Sequence, residues 1–189
     1  MSADAKLNLP TQSIDTADGK AKELLTHAKA QTGFVPNMYA LMANSPGLLD
    51  TYLLGYRHFR EESDFAPVEQ EVVLLTISRF HGCTYCMAAH SMIAAKVSKV
   101  PEEVLSAIRN RQALPDPKLA ALSRFTEIML QERGRPTPEQ LDTLKGSGYH
   151  DRHVLEIILA IAVKTLSNYS NHLLHPTVDA AFQNYTWEA

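Results

Sequence analysis

The chain has 189 residues, with 18 Lys and Arg against 21 Asp and Glu, a formal net charge of −3 and a pI near 6.2. Its basic residues are scattered, so it carries neither a nucleic-acid footprint nor a polybasic membrane patch. The N-terminal MSADAKLNLPTQSID lacks a signal-peptide pattern, and no apolar run reaches the roughly 18 residues of a membrane span, so a cytoplasmic protein is expected.

Helical punctuation recurs along the chain, without the alternation of apolar and polar residues that marks strands, and predicts an all-α fold. Thr16 or Asp15 can cap a first helix, ADGKAKELLTHAKAQ, which Gly33 ends. Ser45 and Pro46 open a second, carrying Leu48, Leu49, Tyr52, Leu53, Tyr56 and Phe59. Tyr52, Tyr56 and Phe59 read as core, and Met38, Met42 and Met87 as core filling rather than pocket lining. Pro67 starts the helix that holds Glu71, Leu74, Leu75 and Ile77, which Gly82 breaks, and the next helix begins near Cys83 and runs through Ala95. Pro101, Pro117 and Pro138 each occupy a first helical position. Asp116 and Thr137 precede the last two as N-caps, and Thr137 with Gln140 fits a capping box. Residues 154–166, VLEIILAIAVKTL, are apolar on nearly every face, which predicts a central helix.

The whole reads as a single all-helical domain over 1–189, with an N-terminal extension to about residue 60, a catalytic half over about 61–115 and a second half over about 116–189. Glu71, Cys83, Cys86 and His90 are spaced by 12, 3 and 4 positions. The same spacings recur 85 residues later at Glu156, Asn168, Asn171 and His175, and the segment VVLLTI matches IILAIA in character. This predicts an internal duplication in which asparagines replace both thiols. The polar cluster Asn168, Asn171, His172 and His175 is expected to be structural, at a helix start or a subunit contact.

Cys83 and Cys86 are the only cysteines, and in a reducing compartment a Cys-x-x-Cys pair is more often catalytic or metal-binding than a structural staple. In the first turn of a helix both sulfurs meet unpaired N–H groups and the positive dipole end, which favour the thiolate. His90 follows Cys86 by one turn, so its imidazole can exchange a proton with that sulfur, and Cys86 is the better placed of the two. Glu71 must approach by packing of its helix against the next. Burial there would raise its pKa and let it act as a general base or relay. A Cys86 thiolate attacking a hydroperoxide would give a sulfenic acid, which Cys83 resolves to a disulfide; a partner dithiol would then reduce it. Direct disulfide exchange uses the same pair, and the spacing does not settle the oxidant. A zinc site would need a fourth ligand beyond Cys83, Cys86 and His90, so neither metal nor cofactor is expected.

At Glu71, Cys83-Thr84-Tyr85-Cys86 and His90 the chain resembles the AhpD-like superfamily of alkylhydroperoxidases and carboxymuconolactone decarboxylases. The stretch Gly33-Phe34-Val35-Pro36-Asn37 with Ser45-Pro46 resembles its peroxidase-related branch. The resemblance implies an all-helical fold, assembly as a homo-oligomer (trimer or hexamer), and peroxidase activity. By the same resemblance Cys86 forms the sulfenic acid, Cys83 resolves it, and Glu71 and His90 carry protons. A hydroperoxide substrate and a dithiol or thiol-protein reductant are the implied partners. The decarboxylase branch lacks the cysteine pair, and AhpD has a histidine where this chain has Tyr85, so Tyr85 and His81 are candidate relays. Two alternatives stay open: a redox-sensing or scaffold oligomer without turnover, and a decarboxylase-type enzyme using Glu71 and His90 alone.

Overall fold

The computed structural model describes residues 5–188, so the first four residues of the expected N-terminal extension lie outside the described residues. Every regular element among the described residues is helical: α1 (Gly19–Thr32), α2 (Asn37–Met42), α3 (Pro46–Glu62), α4 (Pro67–Phe80), α5 (Thr84–Lys96), α6 (Glu102–Arg109), α7 (Pro117–Gln131), α8 (Pro138–Gly146) and α9 (Asp151–Leu174), with a 3-10 turn over Ala180–Tyr185. None of these helices is long and apolar enough to cross a membrane.

Helix starts follow the chemistry of their first residues. Asp116 accepts the Leu119 N–H at 2.9 Å, and Thr137 and Gln140 exchange bonds of 3.3 and 2.8 Å in a capping box. Pro117, Pro138, Pro67 and Pro46 stand at first helical positions, where the missing N–H costs nothing. Pro101 instead stands one residue before α6. Asp18, rather than Thr16 or Asp15, holds the N-cap position of the first helix, without a side-chain capping bond; the Thr16 hydroxyl is engaged by the Ser13 N–H at 2.8 Å in the preceding turn.

The central helix is α4. Every residue from Glu69 to Ser78 is buried, and α4 packs against α5, α6, α7 and α9 around Phe59, Leu74, Phe125 and Ile157. The prediction that 154–166 occupies the centre is corrected: α9 buries Ile157, Ala160, Val163 and Lys164 but exposes Leu155 and Ile158 on its outer side. Apolar residues all round a helix can also mean one face left for a partner.

The 85-residue spacing match does not extend to the backbone. Gly82 (φ 69°) lets the chain turn, with the Cys83 N–H on the Ser78 carbonyl at 2.9 Å, so Glu71 and Cys83 lie on two helices. The position 85 residues on is Ser167, which stays helical, and Glu156, Asn168 and Asn171 share the one helix α9. His175 is its left-handed C-cap, out at the surface.

α3 and α9 approach closely at Gly55, where an added Cβ would lie 2.8 Å from Val163 Cγ2. Gly55→Ala is expected to lower stability by about 1 kcal/mol in urea denaturation, since overpacking of about 1–3 kcal/mol outweighs the gain of up to about 1 kcal/mol in helix propensity.

Candidate active site

The α4–α5 turn delivers Cys83 and Cys86 to a second core, which also contains Leu25, Met42, Leu49, Tyr52 and Val163. Cys83 is the N-cap of α5 and Cys86 lies in its first turn; both are buried and reduced. Asn171, reaching in from α9, donates its amide to both sulfurs, at 3.5 Å for Cys83 and 3.4 Å for Cys86, and also meets Met38 Sδ at 3.3 Å. Ser167 Oγ lies 3.9 Å from Cys86 Sγ. The α9 asparagine that the spacing match placed opposite Cys86 is thus part of the site itself.

Charge is shared unequally between the sulfurs. A hydrogen bond from Cys86 lowers the Cys83 thiol to about 6, against its burial and with help from the Asn171 amide and the Lys164 charge. The same bond and its own burial push Cys86 well above the ordinary thiol range. Cys86 was read as the better placed of the two for proton exchange with His90; the directions of the two shifts favour the anion at Cys83, with Cys86 as its hydrogen-bond donor.

Glu71 is fully buried on α4. His90 Nδ1 lies 3.0 Å from one carboxylate oxygen, and Arg60 Nη2 donates to the other. Burial favours the neutral acid, but the Arg60 charge and the hydrogen bonds from His90 and Arg60 outweigh it and hold Glu71 below the usual carboxylate range. The expectation of a raised glutamate pKa is therefore corrected. An ionised carboxylate can only accept, so His90 carries its proton on Nδ1 and leaves Nε2 as a base. Burial, with the Lys164 charge, lowers the His90 pKa and keeps the ring neutral near pH 7.

Arg60 also donates to Tyr56 Oη at 2.9 and 2.8 Å and to Gln70 at 3.1 Å. Tyr56 stacks on Tyr52 at 5.8 Å and leans toward His90 at 6.1 Å. Burial raises all three tyrosines, Tyr39, Tyr52 and Tyr56, so they stay neutral phenols. They form one wall of a cavity of about 300 Å³ whose other walls include Phe34, Met38, Tyr85 and Phe182, with Cys86 and His90 at its surface. Met38, Met42 and Met87 are all buried in the core, as read, and Met38 also lines this cavity.

Neither candidate relay reaches the thiols. The Tyr85 hydroxyl donates to Asp179 and accepts the Met38 N–H at 3.4 Å, which ties the C-terminal segment to α5. Burial and the Asp179 carboxylate raise its pKa, so its proton is committed. His81 pairs with Asn168 Oδ1 at 3.0 Å and packs edge-on to Tyr169, on the far side of the turn. Glu156 is structural: its carboxylate accepts the Asp64 N–H at 3.1 and 3.0 Å and Arg152 Nε at 2.9 Å. Arg60, Asp179 and Lys164 were not singled out in the sequence. For Arg60 the available signal was that a buried Glu71 demands a cation one turn or one hairpin away.

Residues 48–127 match the model of the carboxymuconolactone decarboxylase family. None of the curated proteins matches the chain significantly. Among solved structures, the alkylhydroperoxidase AhpD core of a peroxidase-related protein from Ralstonia eutropha JMP134 superposes with a TM-score of 0.81 at 18% identity, covering 92% of this chain and 93% of that one. A peroxidase-related protein from Silicibacter sp. TM1040 gives 0.77 at 20% identity, covering 96% and 95%. The debrominase Bmp8, in complex with 2,3,4-tribromopyrrole, gives 0.73 at 17% identity, covering 96% and 97%.

Proposed function

We propose that this chain is a member of the AhpD-like superfamily and a thiol peroxidase that reduces small, apolar or aromatic hydroperoxides. The observation that carries this reading is the reduced Cys83–Cys86 pair with one sulfur, that of Cys86, on an aromatic cavity beside a neutral His90. A volume of about 300 Å³ lies at the small end of ligand sites, which run from about 300 to 1,000 Å³.

In this mechanism His90 Nε2 takes the Cys86 proton, and the sulfur attacks the terminal oxygen of the hydroperoxide. The O–O bond breaks, Cys86 becomes the sulfenic acid, and His90 returns the proton to the leaving alkoxide. The Cys83 thiolate then attacks the Cys86 sulfur and expels hydroxide, which becomes water. The balance is dithiol plus hydroperoxide giving disulfide, alcohol and water. A thiol or dithiol reductant closes the cycle. The decarboxylase reading fits less well, because the cavity is lined by apolar and phenolic groups and Arg60 is already held by Glu71, Tyr56 and Gln70.

A second reading has one observation in its favour: the same aromatic wall suits a halogenated ring, and the debrominase fold carries a brominated pyrrole. Reductive dehalogenation would consume the dithiol and release halide. We expect cumene hydroperoxide to be consumed catalytically with dithiothreitol, with Cys83 and Cys86 joined in the oxidised peptide by mass spectrometry. Halide release from a bromopyrrole without peroxide turnover would favour the second reading. Stoichiometric oxidation without turnover of either would overturn both in favour of a redox sensor. Assembly as a homo-oligomer is part of the proposal, supported by the exposed Leu155 and Ile158 on α9.

A further inference from the structure

α9 presents Lys164, Ser167, Asn168 and Asn171 at i, i+3, i+4 and i+7, on the face turned toward the α4–α5 hairpin. Three of the four are engaged there: Ser167 with Cys86, Asn168 with His81, and Asn171 with both sulfurs. Lys164 is different. Its side chain is fully buried, and its Nζ has no hydrogen-bond partner among the described residues.

An ammonium group in a protein interior costs several kcal/mol unless an anion stands near it. The titratable groups near enough to feel its charge are Cys83, Cys86 and His90 on α5 and His81 at the end of α4. Only the thiols among these can become anions. The buried carboxylate of this region, Glu71, is already bound by Arg60 and His90. Cys86 is the hydrogen-bond donor of the pair, which leaves Cys83, at the N-cap position of α5.

We propose that Lys164 is the buried counter-ion of the Cys83 thiolate and makes the Cys83–Cys86 pair an oxidising couple. Forming the disulfide removes the anion and strands the cation, so the reduced form is favoured, as in strongly oxidising dithiol proteins. The acidity of Cys83 agrees: after the hydrogen bond from Cys86, and against burial, the Asn171 amide and the Lys164 charge act together to lower it. The inference rests on the reading of the pair as a reactive dithiol and does not depend on which oxidant it meets.

The test is a pH titration of thiolate absorbance in the reduced protein, with Lys164→Met, which keeps the length of the side chain, and Lys164→Arg, which keeps the charge. The midpoint, near 6 in the native protein, is expected to rise by about one unit in Lys164→Met and to return in Lys164→Arg. Equilibration with glutathione at pH 7, in which the disulfide and two thiols exchange for the dithiol and oxidised glutathione, should favour the Lys164→Met disulfide by about fivefold more. An unmoved midpoint in a folded Lys164→Met protein overturns the proposal.

If Lys164→Met does not fold, the native protein labelled with ¹³C-lysine serves instead. The Lys164 Cε signal, identified by its loss in Lys164→Arg, should shift with pH at the Cys83 midpoint in the reduced protein and lose that response in the disulfide. A signal indifferent to the thiol midpoint overturns the proposal. Neither experiment uses peroxide, so failure of peroxidase turnover and failure of the counter-ion are separately visible.

Discussion

Cys86→Ser is expected to lower hydroperoxide turnover at least about a thousandfold, a loss of about 4 kcal/mol of transition-state stabilisation, because a serine hydroxyl at this position has no comparable nucleophilicity. Cys83→Ser is expected to abolish turnover by another route. Cys86 still faces the cavity and still has His90 as its base, so one equivalent of hydroperoxide is consumed and the chain stalls as a Cys86 sulfenic acid. Dimedone should label that residue, and mass spectrometry places the label. Loss of the Cys83 thiolate also removes the bond and the charge that push Cys86 upward, so Cys86 in this variant should titrate at lower pH than in the native chain. The reverse pattern, with label on Cys83 in Cys86→Ser and none in Cys83→Ser, would exchange the two roles: the more acidic sulfur would be the attacker, and the cavity would not be the route of the peroxide.

That ambiguity shows where local sequence runs out. The helix starts at Pro67, Pro117 and Pro138 were readable because caps and prolines act within a few residues, and the quartet was readable because α5 places Cys83, Cys86 and His90 by its own periodicity. Partners brought by packing were not. Arg60 meets Glu71 across the α3–α4 turn, Asn171 meets the sulfurs from 85 and 88 positions away, and Asp179 meets Tyr85 from 94. Burial alone would have raised Glu71, so the sign of its shift depended on a cation invisible to helix spacing. Lys164 was legible in principle: VLEIILAIAVKTL carries two charges, Glu156 and Lys164, and a lysine in so apolar a stretch poses the same question that Glu71 posed inside its own apolar helix. The short α2 was missed because six residues carry little periodicity, yet it supplies Met38 and Tyr39 to the cavity.

The largest structural effect is expected at the Arg60–Glu71–His90 chain. Arg60→Met leaves a carboxylate with no exposed surface and no cation, and should cost about 3–5 kcal/mol by urea denaturation. The pH dependence distinguishes this from a simple packing defect. In the native chain the folded pKa of Glu71 lies below its unfolded value, so its contribution is present above the unfolded pKa and is lost as pH falls through the folded one. His90, also lowered, acts in the same direction: stability falls as pH drops from its unfolded value to its folded one. Without Arg60 the burial of Glu71 dominates and its pKa rises, so the deficit of Arg60→Met should shrink on acidification, as the carboxyl takes up its proton. Replacing both partners, Arg60→Met with Glu71→Leu, should recover much of the loss, since neither buried charge remains uncompensated. Activity should not recover with it. His90 then has no carboxylate to fix its Nδ1 proton, and the proton transfer it performs for Cys86 should slow by about a hundredfold or more, in kcat rather than in KM. A double variant that is stable and fully active would show that Glu71 holds the fold alone and has no part in orienting the base.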